Sequence, residues 1–141
     1  MKLKVYLFLF ILFPLFCQGQ VVKGFQQLSG KVNVTLQDGT LSVIPLADNA
    51  VRIKFFKFSE GNLPEFVFTP ETKTPGFRVV DSSSKLEIKT SKITVSIDKN
   101  NGKLTYVDNA GKVFLAENEG SRRLVPDTIQ GEPCFVVEQS F

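Results

Sequence analysis

The 141-residue chain has no histidine, no tryptophan and one methionine. Without histidine a Cys–His nucleophile pair is impossible, and no Cys/His cluster offers zinc ligands. Without tryptophan the usual stacking platform for sugars is missing, and Tyr106 is the only tyrosine beyond the first 19 residues. Basic residues form no block longer than Arg122-Arg123. That is too little for the electrostatic footprint of a nucleic-acid binder, and a solvated pair, or a pair bracing a loop, accounts for it. No glycine-rich phosphate loop follows a strand, and the turn from Asp98 to Gly102 lacks the remaining oxygen ligands and distal Glu of a calcium loop. Apolar residues at a sustained 3.6-residue period are also absent, so helices are not expected.

The first 19 residues read as a targeting segment. Lys2 and Lys4 precede an apolar run from Val5 to Phe16, and Cys17-Gln18-Gly19 puts small residues ahead of a cut before Gln20. The run falls short of the about 20 apolar residues needed to span a bilayer. Phe16 before Cys17 fits a lipobox poorly, so export to the periplasm or beyond is expected, without a lipid anchor and with no membrane attachment after cleavage. Loss of Lys2 and Lys4 leaves 15 basic against 14 acidic residues, a net charge of +1 in place of +3. Cys134 alone survives, so no intrachain disulfide forms and stability must come from burial. About 120 residues suffice for one domain that hides roughly two-thirds of the unfolded surface. Cys134 itself, in the apolar run from Cys134 to Val137, reads as a small buried hydrophobe.

What remains reads as about nine or ten short strands, the pattern of an antiparallel β-sandwich. Val32, Val34 and Leu36 alternate with polar residues, Asp38-Gly39 turns the chain, and Leu41 and Val43 return. Pro45 should break or edge that strand, because it has no N–H to donate. After a turn at Asp48-Asn49, Val51, Ile53 and Phe55 share one parity while Phe56 and Phe58 take the other, which predicts a β-bulge or a change of sheet near Phe55-Phe56 and a buried aromatic cluster. Residues 59–76 carry Gly61, Pro64, Pro70, Pro75 and Gly76 around a short Phe66-Val67-Phe68 strand. Strands then follow at Phe77 and Val79 and at Leu86 and Ile88, across a turn at 81–84. Residues 118–133 read as polar loop, followed by a strand at 134–137.

The most informative stretch is 91–117. Ile93, Val95 and Ile97, then Leu104 and Tyr106, alternate with polar residues around turns at 98–102 and 108–111, making a three-stranded meander. The pattern Gly102-x-Leu104-x-Tyr106-x-Asp108-x-x-Gly111-x-x-x-Leu115-x-Glu117 resembles the N-terminal, galactose mutarotase-like β-sandwich of glycoside hydrolase family 31, the α-glucosidases and α-xylosidases. The Ala50-Val51-Arg52-Ile53-Lys54-Phe55 strand and the closing Phe135-Val136-Val137 fit in the same order, so the resemblance covers roughly residues 32–141. It implies residues 20–141 as a non-catalytic domain of a retaining, exo-acting α-glycosidase. Its partner would be a catalytic (β/α)8 barrel of the same enzyme, with carbohydrate as substrate and a sandwich loop, from 59–76 or 118–133, at the pocket rim. Both catalytic aspartates of that family lie on the barrel, so the resemblance assigns no catalytic, cofactor-binding or metal-binding residue here, and no cofactor.

The residues themselves agree. Glycoside hydrolysis needs two carboxylates flanking the scissile bond. Asp38, Asp48, Asp98 and Asp108 all sit beside Gly or Asn where turn chemistry explains them, and Glu117 closes the meander with a basic partner as its expected role. Asn33-Val34-Thr35 matches a glycosylation acceptor inside a strand, a coincidental match. A free-standing secreted sandwich that binds glycan or protein stands as the alternative, and a truncated, functionless remnant is compatible with the same residues.

Overall fold

The computed structural model describes residues 20–61 and 74–141. The targeting segment and the Phe66-Val67-Phe68 strand expected from the sequence lie outside the described residues. Eleven strands run in chain order: β1 Val22–Leu28, β2 Lys31–Leu36, β3 Thr40–Ala47, β4 Ala50–Phe56, β5 Arg78–Asp81, β6 Lys85–Lys89, β7 Ile93–Asp98, β8 Leu104–Asp108, β9 Val113–Ala116, β10 Arg123–Ile129 and β11 Glu132–Glu138. They form an antiparallel sheet β1-β2-β3-β4, a second meander β5-β6-β7-β8-β9, and a separate β10-β11 hairpin. No helix occurs among the described residues.

Alternation decides which faces meet. In the first sheet Val32 pairs with Val43 and Val34 with Leu41, and these pair onward with Ile53 and Phe55. In the second, Leu86 pairs with Ile97, Ile88 with Val95, and Ile97 with Leu104. These side chains share one core with Leu36, and Val51, Phe77, Val79 and Tyr106 pack at its margin. Each fully buried Val, Leu or Ile contributes roughly 1.5–3 kcal/mol over leaving it in water. The core therefore lies between the two sheets, an open sandwich whose halves are joined by hydrophobic contact rather than by shared strands.

Of the expectations for the first sheet, the one at Pro45 holds in its edge form: Pro45 does not break β3 but lies where one neighbouring strand alone pairs with it. The β2 ladder reaches only as far as Val43, so Pro45 faces β4 alone, where it pairs with Val51, and its missing N–H shows as a register shift between Pro45 and Ala47. The bulge expected at Phe55-Phe56 is absent, for Thr40–Phe56 and Leu41–Phe55 keep regular register. The change of parity comes from β4 ending at Phe56, and Phe58 beyond it is 84% exposed, outside any aromatic core. Residues 118–133 are not loop throughout, since β10 lies within them.

Candidate functional site

The turn aspartates do what their neighbours suggested. Asp98 Oδ1 accepts the Asn100 N–H at 2.8 Å, and Asp108 Oδ1 accepts the N–H groups of Ala110 and Lys112, each at 2.9 Å. Each carboxylate closes its own turn. Asp38 and Asp48 are exposed at the tips of the β2-β3 and β3-β4 turns. Asn33 lies in β2, paired to β1 and β3, and its Oδ1 accepts the Ser42 hydroxyl at 2.9 Å.

The one deeply buried carboxylate among the described residues is Glu117, 2% exposed. It follows β9, and its backbone N–H donates to Leu104 O at 2.9 Å. Its Oε2 accepts the Leu104 N–H at 2.8 Å, and its Oε1 accepts Gln139 Nε2 at 2.7 Å. Arg122 Nη1 stands 3.7 Å from the same Oε1, an ion pair without a hydrogen bond. Arg122 Nη2 donates to Gly102 O at 2.6 Å, Gln20 Nε2 donates to Arg122 O at 3.0 Å, and the guanidinium lies 5.9 Å from the centre of the Phe55 ring. Glu117 thus ties the meander to the segment after β11, while Arg122 ties the β9-β10 connection to the β7-β8 turn and to Gln20.

Of the Arg122-Arg123 pair, then, only Arg123 is a surface group; Arg122 is buried and braces the loop. Nothing in its immediate sequence marks the difference, because its partners come from residues 20, 102 and 117. Burial lowers the Arg122 pKa, against the raising influence of Glu117 and Tyr106. Burial likewise pushes the Tyr106 hydroxyl up to about 12, with the Glu117 charge adding to it. A cavity of about 10 Å³ adjoins Gln20, Glu117, Ser121 and Arg122, about the room one water requires. With its two oxygens engaged by a backbone N–H and an amide, Glu117 holds strands together.

Elsewhere Lys31 and Lys54 bracket Glu60 at 2.8 and 2.9 Å, and their hydrogen bonds hold its pKa near 2. Cys134 is half-buried rather than buried, because β11 belongs to a hairpin set apart from the core. It borders an apolar groove of about 550 Å³ with Phe58, Pro126, Pro133 and Phe135. A polar groove of about 450 Å³ opens on the second sheet beside Arg78, Glu87, Lys89 and Thr94. Among the described residues no His/Cys/Asp/Glu group is placed to hold a metal ion, and no helix is long and apolar enough to cross a membrane.

No protein-family model matches the sequence, and no curated protein matches it. Solved structures match the fold. A GH31 alpha-xylosidase from Xanthomonas citri superposes with a TM-score of 0.70 at 22% identity, over 81% of this chain and 13% of its own. An uncharacterized protein from Listeria monocytogenes EGD-e, solved in complex with glucose, magnesium and calcium, gives a TM-score of 0.59 at 15% identity, over 74% of this chain and 10% of its own. The chain therefore shares its all-β fold with a small part of much larger proteins.

Proposed function

We propose that the chain is a non-catalytic β-sandwich domain of an exported α-glycosidase, whose reacting carboxylates belong to a catalytic barrel elsewhere in a longer polypeptide. The observation that carries this reading is the superposition of 81% of the chain on 13% of a GH31 alpha-xylosidase. The chemistry is in accord: a glycosidase needs paired carboxylates flanking a bound sugar, whereas Asp98, Asp108 and Glu117 are each engaged by backbone N–H groups of their own fold. The basic start and apolar run of the sequence support export, and the polar groove beside β6 and the apolar groove beside β10 are the surfaces offered to carbohydrate and to the barrel.

The test is to read the coding frame past Phe141, express whatever polypeptide it encodes, and assay aryl α-xylosides and α-glucosides beside the 141-residue chain. Hydrolysis by the longer product alone is the expected result. A frame that closes at Phe141 in front of an unrelated gene would overturn the proposal. The polar groove at Arg78, Glu87 and Lys89 favours a second reading, a free-standing glycan-binding module, which calorimetric titration of the chain with α-linked oligosaccharides would reveal as saturable heat.

A further inference from the structure

The β10-β11 hairpin is hydrogen-bonded as a sheet of its own, yet it carries much of the exposed apolar surface: Ile129 61%, Phe135 38%, Val136 42% and Val137 61%. Phe135 and Val137 lie on one face and Val136 on the other, so both faces are apolar. An isolated two-stranded hairpin is marginal in water. This one is anchored at its root, where Gln139 donates to Glu117 and the Asn118 N–H donates to Ser140 O at 3.0 Å. At the side, Lys57 Nζ stands 4.7 Å over the Phe135 ring.

The turn fixes which backbone groups face outward. Gln130 and Gly131 have φ of 52° and 86°, the type I′ signature of a two-residue loop. Its closing pair is Ile129 and Glu132, which in a two-residue hairpin loop is a hydrogen-bonded pair. Alternation from that pair turns the N–H and C=O of Leu124, Pro126 and Thr128 to the outer edge of β10, and those of Pro133, Phe135 and Val137 to the outer edge of β11, and no other strand among the described residues pairs with either edge. Pro126 interrupts the first edge in its middle. On β11 the proline sits at the tip, leaving Phe135 and Val137 as consecutive, intact donors and acceptors.

We propose that the outer edge of β11, at Phe135 and Val137, pairs with an added β-strand contributed by the longer polypeptide, which also covers the apolar faces of the hairpin. This rests on the domain reading above and names where the rest of the protein attaches. Self-pairing with a second copy of the chain is disfavoured in the antiparallel register centred on Phe135, which would set Glu132 opposite Glu138 at both ends, because like charges directly opposite are destabilising. A single symmetric partner would also leave one apolar face bare, while the fold match to a protein about six times longer is in accord with a body large enough to cover both.

The test compares amide hydrogen exchange of the 141-residue chain with that of the longer polypeptide, together with the substitution Val137→Pro. Proline there removes an outward N–H and spares the β10 ladder, whereas Val136→Pro removes a ladder bond and serves as the control. Expected are exchange at Phe135 and Val137 at least 100-fold slower in the longer polypeptide, loss of the protection at Phe135 in Val137→Pro, and an unchanged melting temperature for Val137→Pro in the short chain. A longer polypeptide that hydrolyses α-glycosides while Phe135 and Val137 exchange freely would sink the edge proposal and leave the domain reading standing. Protection already present in the short chain would also overturn it, assigning the edge to the chain's own residues if monomeric and to a second copy if dimeric. A frame closing at Phe141 would remove the domain reading first and the proposed occupant with it.

Discussion

Glu117 and Arg122 are charged residues placed where water is scarce, and each is stabilised by partners distant in sequence. Removing one member of such a buried pair strands the other, at a cost of about 3–5 kcal/mol, while replacing both by neutral groups of similar size is much milder. Glu117→Ala should therefore lose roughly 3–5 kcal/mol in urea unfolding, and Glu117→Gln with Arg122→Met should lose less than Glu117→Ala alone. A Glu117→Ala protein within 1 kcal/mol of wild type would show that the cluster is not structural. Glu60 offers the contrast of an exposed carboxylate held by two lysines, with its pKa lowered to about 2. A depressed carboxylate pKa stabilises the fold above the unfolded value and loses that effect as pH falls through the folded one. The contribution of Glu60 should thus vanish between about pH 5 and pH 2 and amount to no more than about 1 kcal/mol per surface pair. An NMR titration should find its midpoint near 2, and a midpoint above 4 would mean that the lysines are not engaged in solution.

At the scale of elements, the β7-β8 turn shows why the meander pattern contains the glycine it does. Gly102 has φ of +68°, and a Cβ there would lie 2.5 Å from the backbone oxygen of Gln20. Gly102→Ala combines a left-handed backbone with a collision against a segment 82 positions earlier in the sequence, and Gly102 O is also the acceptor for Arg122. We expect a loss of about 1–3 kcal/mol, visible as a lowered melting temperature, and an unchanged melting curve would place Gln20 elsewhere in solution. The turn itself was legible from Asp98-Lys-Asn-Asn-Gly102, because an Asx carboxylate and a following glycine are local chemistry. The approach of Gln20 was not, since no local pattern encodes it. β10 escaped notice for a related reason: Pro126, Asp127 and Thr128 read as loop, and only pairing with β11 makes that segment a strand.

For the molecule as a whole, alternation of polar and apolar residues determined a great deal by itself. It settled β2 to β4 and β6 to β8, the turns between most of them, and the side chains that form the core, because a period of two leaves one face to bury and any slip in register would turn that face to water. Tertiary structure alone decided the rest. Pro45 stays within β3 because β2 has already ended beside it. Phe58 is exposed because β4 stops two residues earlier. Cys134 is only half-buried because β11 stands off from the core in its own hairpin. Arg122 is buried and Arg123 is not, although they are neighbours of one residue type. The common physical reason is that burial and pairing of a single side chain depend on what other segments bring to it, and those segments are specified by distant parts of the chain.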